Sequence, residues 1–256
     1  MEEKRLKNKT ENTESALITI ELAGICIGIR PLSEDFGKFC AGYMSEGEPE
    51  FVIEVTAGDI EEENERAIDY MGRSDTPALE LEKLFVYREI AERIPKYNTF
   101  LMHAAAIRVD ENAFLLAGPS GAGKTTHARL WKKVFQDRMY MINDDKPLIR
   151  VRDDEIRVFG SPWCGKERWQ NNISAPLQAV IFVNQAEENS ITKMEDGEAW
   201  GALMNQVYRS RDAANMQKTL NFLDRVISMA DIYSLYCNRD TDAVMTAYEA
   251  IRSKAT

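Results

Sequence analysis

Apolar residues along this chain follow two rhythms. From Ala16 to about Val55 they are β-branched and partly alternate with polar ones, in "ALITIELAGICIGIRP" and, after a glycine-containing gap, "EFVIEVTAG". That alternation is the pattern of half-buried strands. From about residue 78 to 95, "ALELEKLFVYREIAERI" carries apolar side chains at helical spacing. The opening third therefore predicts a small β-rich lobe closed by a helix. A break near Lys96–Tyr97–Asn98 marks its end. The chain divides into a polar tail over 1–15, this lobe over 16–96, and a second unit over 97–256.

The second unit opens with two hairpin patterns. In "HAAAIRVDENAFLLAGPSG" two apolar runs flank Asp110, Glu111 and Asn112, and in "PLIRVRDDEIRVFGSPW" the turn falls at Asp153–Asp154. "RMYMI" (138–142) reads as a strand, and "LQAVIFVNQ" is continuously apolar, the mark of a central strand buried on both faces. Helices are expected over about 198–209, 214–229 and 241–253, with a short strand "IYSLYC" at 232–237. Strands alternating with helices give an α/β fold, and the hairpins make its sheet mixed.

Composition narrows the partners. The formal net charge is −10, which disfavours nucleic acid, because phosphate backbones select clustered Lys and Arg. No run of about 18 apolar residues occurs, so no membrane span is expected. The opening "MEEKRLKNKTENTES" is polar without an apolar centre; it predicts a flexible tail, no secretory signal and a cytoplasmic protein. The acidic run "GDIEEENER" (58–66) reads as a solvated loop or helix face. Four cysteines without paired short spacing predict neither a disulfide framework nor a zinc site. Two histidines, His103 and His127, are too few for a His-rich metal site.

The sharpest motif is "AGPSGAGKTTHARLW". Gly118, Gly123, Lys124 and Thr125 satisfy G-x-x-x-x-G-K-[ST], between an apolar strand and an amphipathic helix. Backbone N–H groups of such a loop converge on phosphate oxygens at the positive end of the helix. Lys124 then neutralises phosphate charge and Thr125 offers its hydroxyl to magnesium. Gly118, Ser120, Gly121, Ala122, Gly123, Lys124, Thr125 and Thr126 are the candidate residues for binding ATP.

Two register arguments add chemistry. With the first turn at Asp110–Asn112, His103 falls opposite Gly118 or Pro119, beside the mouth of the loop. The strand "RMYMI" ends in "NDDK", where a magnesium-holding acid of such proteins sits. One of Asp144 and Asp145 can hold metal and the other can accept a proton from an attacking hydroxyl. The second hairpin then brings "GSPWCGKE" (160–167) beside this pair, so that Lys166 can stabilise a moving phosphoryl group. The candidate catalytic residues are His103, Asp144, Asp145 and Lys166, and the candidate metal ligands are Thr125 and Asp144. Cys164, without a companion base, reads as a structural or bystander thiol, and His127 as a surface or packing residue.

"MHAAAIRVDENAFLLAGPSGAGKTT" followed by "INDDKPLIR" resembles the C-terminal catalytic domain of HPr kinase/phosphorylase. "GSPWCGKE" and "APLQAVIFVNQ" look closer to small kinase-like proteins described as phosphoenolpyruvate carboxykinase-like, some encoded with ribosomal peptide biosynthesis clusters. The resemblance covers roughly residues 98 to 185. It implies a P-loop domain with a mixed sheet, in which His103 and the Asp144/Asp145 pair handle protons and metal. It also implies that a homo-oligomer is compatible with the chain. The expected activity is an ATP- and magnesium-dependent kinase acting on a serine-type hydroxyl of a peptide, protein or small metabolite. The alternatives are a nucleotide-dependent switch with slow hydrolysis and a non-catalytic relative that docks a peptide.

Overall fold

Short-range patterns become two sheets that share packing. The structure, a computed structural model, describes residues 16–72 and 75–253; the tail expected over 1–15 lies outside them. Strands β1 (Ile18–Leu22) and β2 (Ile25–Arg30) pair antiparallel across a two-residue turn. Both turn residues, Ala23 and Gly24, have positive φ, of 52° and 73°, which matches the twist of the flanking strands. Strand β3 (Phe51–Glu54) joins β2 in parallel.

Helices α1 (Asp35–Phe39), α2 (Ala57–Met71) and α3 (Ala78–Arg93) complete the lobe. The acidic run proves to be the first turns of α2, started by a reciprocal cap. The Asp59 N–H donates to Thr56 Oγ1 at 3.3 Å, and the Thr56 N–H donates to Asp59 Oδ2 at 2.8 Å. One of its acids is not solvated: Glu63 turns inward against Arg88 and Arg66. The lobe core of Ile20, Ile27, Ile29, Phe36, Val86 and Ile90 continues into Leu101, Leu148 and Trp163 of the second unit. One apolar cluster thus joins the two.

The larger sheet holds nine strands among the described residues. The first predicted hairpin is β5 (Ala105–Val109) with β6 (Asn112–Ala117), in the register Ala105↔Leu116. The second is β8 (Leu148–Arg152) with β9 (Glu155–Phe159), in the register Leu148↔Phe159. Strand β4 (Thr99–Leu101) pairs with β8, and β7 (Met139–Asn143) pairs with β5. Strand β10 (Ser174–Gln185) is where the sheet forks. Its first residues pair antiparallel with β9, and the rest run parallel to β6 on one side and to β12 (Asp231–Cys237) on the other. Strand β11 (Ser190–Lys193) extends this edge beyond β12.

The fork explains the continuous apolar run. Val180 and Phe182 of β10 pack under α5 (Asp196–Met204) and α6 (Ala213–Met229), while Ile181 and Val183 face α4 (Lys124–Phe135) and α7 (Asp242–Arg252). Helices thus cover both faces, in a mixed α/β arrangement. The helix expected over 198–209 stops at Met204. Beyond it, Val207 bridges Met102 and the Tyr208 N–H donates to Leu101 O at 2.9 Å. The end of β4 captures the backbone that would have continued the helix. None of the described helices is long and apolar enough to cross a membrane.

Candidate functional site

The glycine-rich loop leaves the end of β6 and turns into α4. Gly118, Gly121 and Gly123 all have positive φ, of 133°, 82° and 103°. At Gly118 space is short as well: a Cβ there would stand 3.2 Å from both the Ala122 Cβ and the Val183 carbonyl oxygen. At Gly121 a Cβ would meet nothing within 4 Å, so only the backbone conformation favours glycine. Lys124 is buried, its Nζ donating to Gly118 O at 2.9 Å and Pro119 O at 3.2 Å. Burial lowers its pKa, and the Asp145 charge opposes that shift. Gln185, at the end of β10, donates to Gly121 O at 2.8 Å and ties the loop to the sheet.

The acids stand on the opposite wall, and buried Asn143 holds them there. Its Nδ2 donates to Ser161 O at 3.0 Å and Trp163 O at 2.9 Å, while its Oδ1 accepts the N–H groups of Asp145 (2.9 Å) and Lys146 (2.6 Å). One amide therefore binds the end of β7, the acid turn and the strap 160–165 into one unit. Asp144 accepts from the Gly165 N–H at 2.6 Å. Asp145 faces His103 Nε2 at 3.2 Å and Lys146 Nζ at 2.6 Å.

His103 itself is anchored through its main chain. Its N–H donates to Gln206 O at 2.7 Å, and the next residue, Ala104, donates from its N–H to Asp145 O at 3.2 Å. With the Gln206 amide turned to the orientation that satisfies its neighbours, it donates to His103 O at 3.0 Å and Gly118 O at 3.3 Å. The histidine backbone and the glycine loop thus meet around one glutamine side chain.

The two carboxyls are driven apart in pKa. Burial raises Asp144, and the N–H groups of Gly165 and Trp169 only partly offset it. Burial also works to raise Asp145, but hydrogen bonds from His103 and Lys146 outweigh it and hold that carboxyl well below the usual range. Neighbouring acids with opposed environments are a common mark of a chemical site.

His103, Asp144, Asp145 and Lys166 share one cavity of about 470 Å³ with Ser120, Gly121, Gly123, Lys124, Thr125 and Thr126. Two expected residues do not line it: Gly118 lies behind Lys124, and Ala122 faces a neighbouring groove. Burial and the Asp144 charge raise the Cys164 thiol, disfavouring thiolate. His127 is packed inside, edge-on to Trp131, and neither ring nitrogen has a hydrogen-bond partner among the described residues. Burial pushes its pKa down to about 4. Sequence reasoning gave no role to Asn143 or Gln206. The first was visible as the opening residue of "NDD", the second carried no signal at all.

The family model for ScmC, described as a SynChlorMet cassette protein, matches residues 74–237. The chain belongs to the ScmC family. The matched stretch of this ScmC-family chain runs from just before α3 to the end of β12 and contains the glycine-rich loop, the acid turn and the strap. Among solved structures, the HPr(Ser) kinase/phosphatase from Coxiella burnetii shows a weak likeness. It is 11% identical, with a TM-score of 0.24, over 49% of this chain and 90% of its own. Among curated proteins, none matches.

Proposed function

We propose that this ScmC-family chain is an HPr-kinase-like phosphotransferase, moving the terminal phosphoryl group of ATP to a serine-type hydroxyl of a peptide, protein or small metabolite. The observation that carries this reading is a convergence on one cavity. The Lys124 and Thr125 end of the glycine-rich loop faces His103, Asp144, Asp145 and Lys166 there. A pure binding module needs one acid to hold a metal. Here a second carboxylate, hydrogen-bonded to an imidazole, faces the same space.

The donor set fits magnesium. Thr125 and Asp144 would hold it through hydroxyl and carboxylate oxygens, the atoms this hard cation takes. The described residues contain no group of three or more His, Cys, Asp or Glu placed for a metal. When bound, the ion draws charge from the phosphate oxygens.

The remaining work falls to the chain itself. Lys124 would exchange the carbonyls of Gly118 and Pro119 for phosphate oxygens, a charge-assisted bond in place of neutral ones. Asp145, kept ionised by His103 and Lys146, is a weak base and a good hydrogen-bond acceptor. That suits a loose phosphoryl-transfer transition state, in which the hydroxyl needs aiming more than early deprotonation. His103 Nε2 would hold Asp145 in its aiming position, so that the hydroxyl proton ends on Asp145, and Lys166 would offset charge on the moving group.

Phosphorus NMR of the purified protein with ATP, magnesium and a panel of hydroxyl acceptors tests the reading. The expected result is a phosphoester that depends on the acceptor, slowed about 100-fold or more in Asp145→Asn. Release of free phosphate alone, at one rate across the panel, would make the protein a nucleotide switch instead.

A further inference from the structure

A second cavity, of about 590 Å³, lies where the N-terminal lobe meets the strap. It adjoins the proposed phosphoryl-transfer cavity. Gly165 borders both, and Lys146, which lines the second, is bonded to Asp145 in the first. A molecule seated here would therefore lie beside the acid turn.

The walls are aromatic and cationic. Phe39 and Tyr87 flank Trp163, at ring-centroid distances of 5.4 Å and 5.8 Å. Trp163 is fixed, its indole N–H donating to Lys83 O at 2.8 Å. Of the four cations lining the groove, three already serve an acid. Lys38 pairs with Asp35 at 2.6 Å, Lys83 with Glu80 at 2.7 Å and Lys146 with Asp145 at 2.6 Å. The fourth, Arg168, is exposed and has no carboxylate partner among the described residues. Its backbone adopts φ of 51°, with its N–H donating to Gly165 O at 3.1 Å, so it belongs to the strap's own turn. A local positive excess over an aromatic floor stands out on a chain of formal net charge −10.

Resting on the kinase reading above, we propose that this groove selects the acceptor, and that the acceptor is a peptide segment with a serine or threonine beside an aromatic side chain and a carboxylate. Charge complementarity calls for the carboxylate, which Arg168 can receive in a forked, charge-assisted contact. Phe39 and Tyr87, half-buried over the buried Trp163, give the apolar side chain ring surface to pack against beside the Lys83 and Lys146 ammonium groups. The size of the groove suits a ligand well beyond a single free amino acid. The N-terminal lobe thereby gains a role, since α1 supplies Phe39 and α3 supplies Tyr87.

Binding can be read without any chemistry. A fluorescein-labelled pentapeptide, Gly-Phe-Ser-Asp-Gly, is titrated with the full chain and followed by anisotropy, with and without ATP and magnesium. Companion peptides replace Phe with Gly or Asp with Lys. Each replacement is expected to weaken binding about tenfold, the scale of one charge-assisted contact or one buried ring. Arg168→Glu should weaken the Asp peptide to the same extent and strengthen the Lys peptide, while Arg168→Lys restores the original preference. A merely structural role for Arg168 would not invert the peptide charge preference. Circular dichroism checks that the variants are folded. Binding that ignores peptide charge and ring, or is the same in Arg168→Glu, overturns the proposal even if phosphoryl transfer occurs. The predicted selectivity without any transfer would uphold the groove and sink the kinase reading instead.

Discussion

The two walls of the cavity are built on different principles. The glycine loop is held in good part by what lies next to it in the chain: Lys124 reaches back to the carbonyls of Gly118 and Pro119, and the side chains of Gln185 and Gln206 add one tether each. The acid turn is held by residues from far away. Asn143 reaches Ser161 and Trp163, Asp144 takes the Gly165 N–H, and Asp145 takes His103, itself pinned by Gln206. A local device keeps its shape whenever its backbone can adopt it. A non-local one lasts only while the whole fold holds it together, so damage should spread differently from the two walls.

The largest effect is expected at the hub of the non-local wall. Asn143→Leu leaves two N–H groups and two carbonyls without their amide partner inside the protein. The loss should be about 4 kcal/mol of stability, read from urea denaturation. A loss under about 1 kcal/mol would mean that the acid turn is as self-supporting as the glycine loop.

Next comes the helix that follows the loop. His127 is neutral when folded, with a pKa of about 4 against 6.5 for a free side chain. The unfolded chain then binds the extra proton between those values. Stability therefore falls as pH drops through 6.5 and stops falling on this account below about 4, a total of about 3 kcal/mol. The acid slope of Tm in His127→Phe should be shallower than in the parent over that interval. Identical slopes would put a hidden partner on the ring.

The smallest effects separate two glycines of the local wall. Gly118→Ala meets both the positive φ and two contacts at 3.2 Å, and should cost about 2 kcal/mol. Gly121→Ala meets the conformational penalty alone and should cost about 1 kcal/mol. Thermal denaturation of the pair side by side checks the order, and equal costs would show that the space behind Gly118 yields freely.

Much of the frame was open to reading along the chain. The turns at Asp110 and Asp153 fixed the registers of both hairpins, because an antiparallel ladder allows no choice once its turn is set. Those registers carried His103 toward the glycine loop and the strap toward the acid turn. Helix α2 was half visible, its acidic run legible but its inward Glu63 not, since a helix face reveals its partner only when α3 packs on it. The stop of α5 at Met204 was invisible, because it depends on a bridge from Val207 to Met102, about a hundred residues away.

The sequence alone determined the elements whose causes are local: the apolar runs, the two turns, and the glycines that let the loop bend with positive φ. Tertiary structure decided how the chemistry is poised. Adjacent residues of one type, Asp144 and Asp145, are pushed to opposite sides of the usual carboxylate range, and two histidines end with opposite surroundings. The physical reason is that burial and hydrogen-bond partners set the energy of a charge, and both come from segments that meet only when the chain has folded.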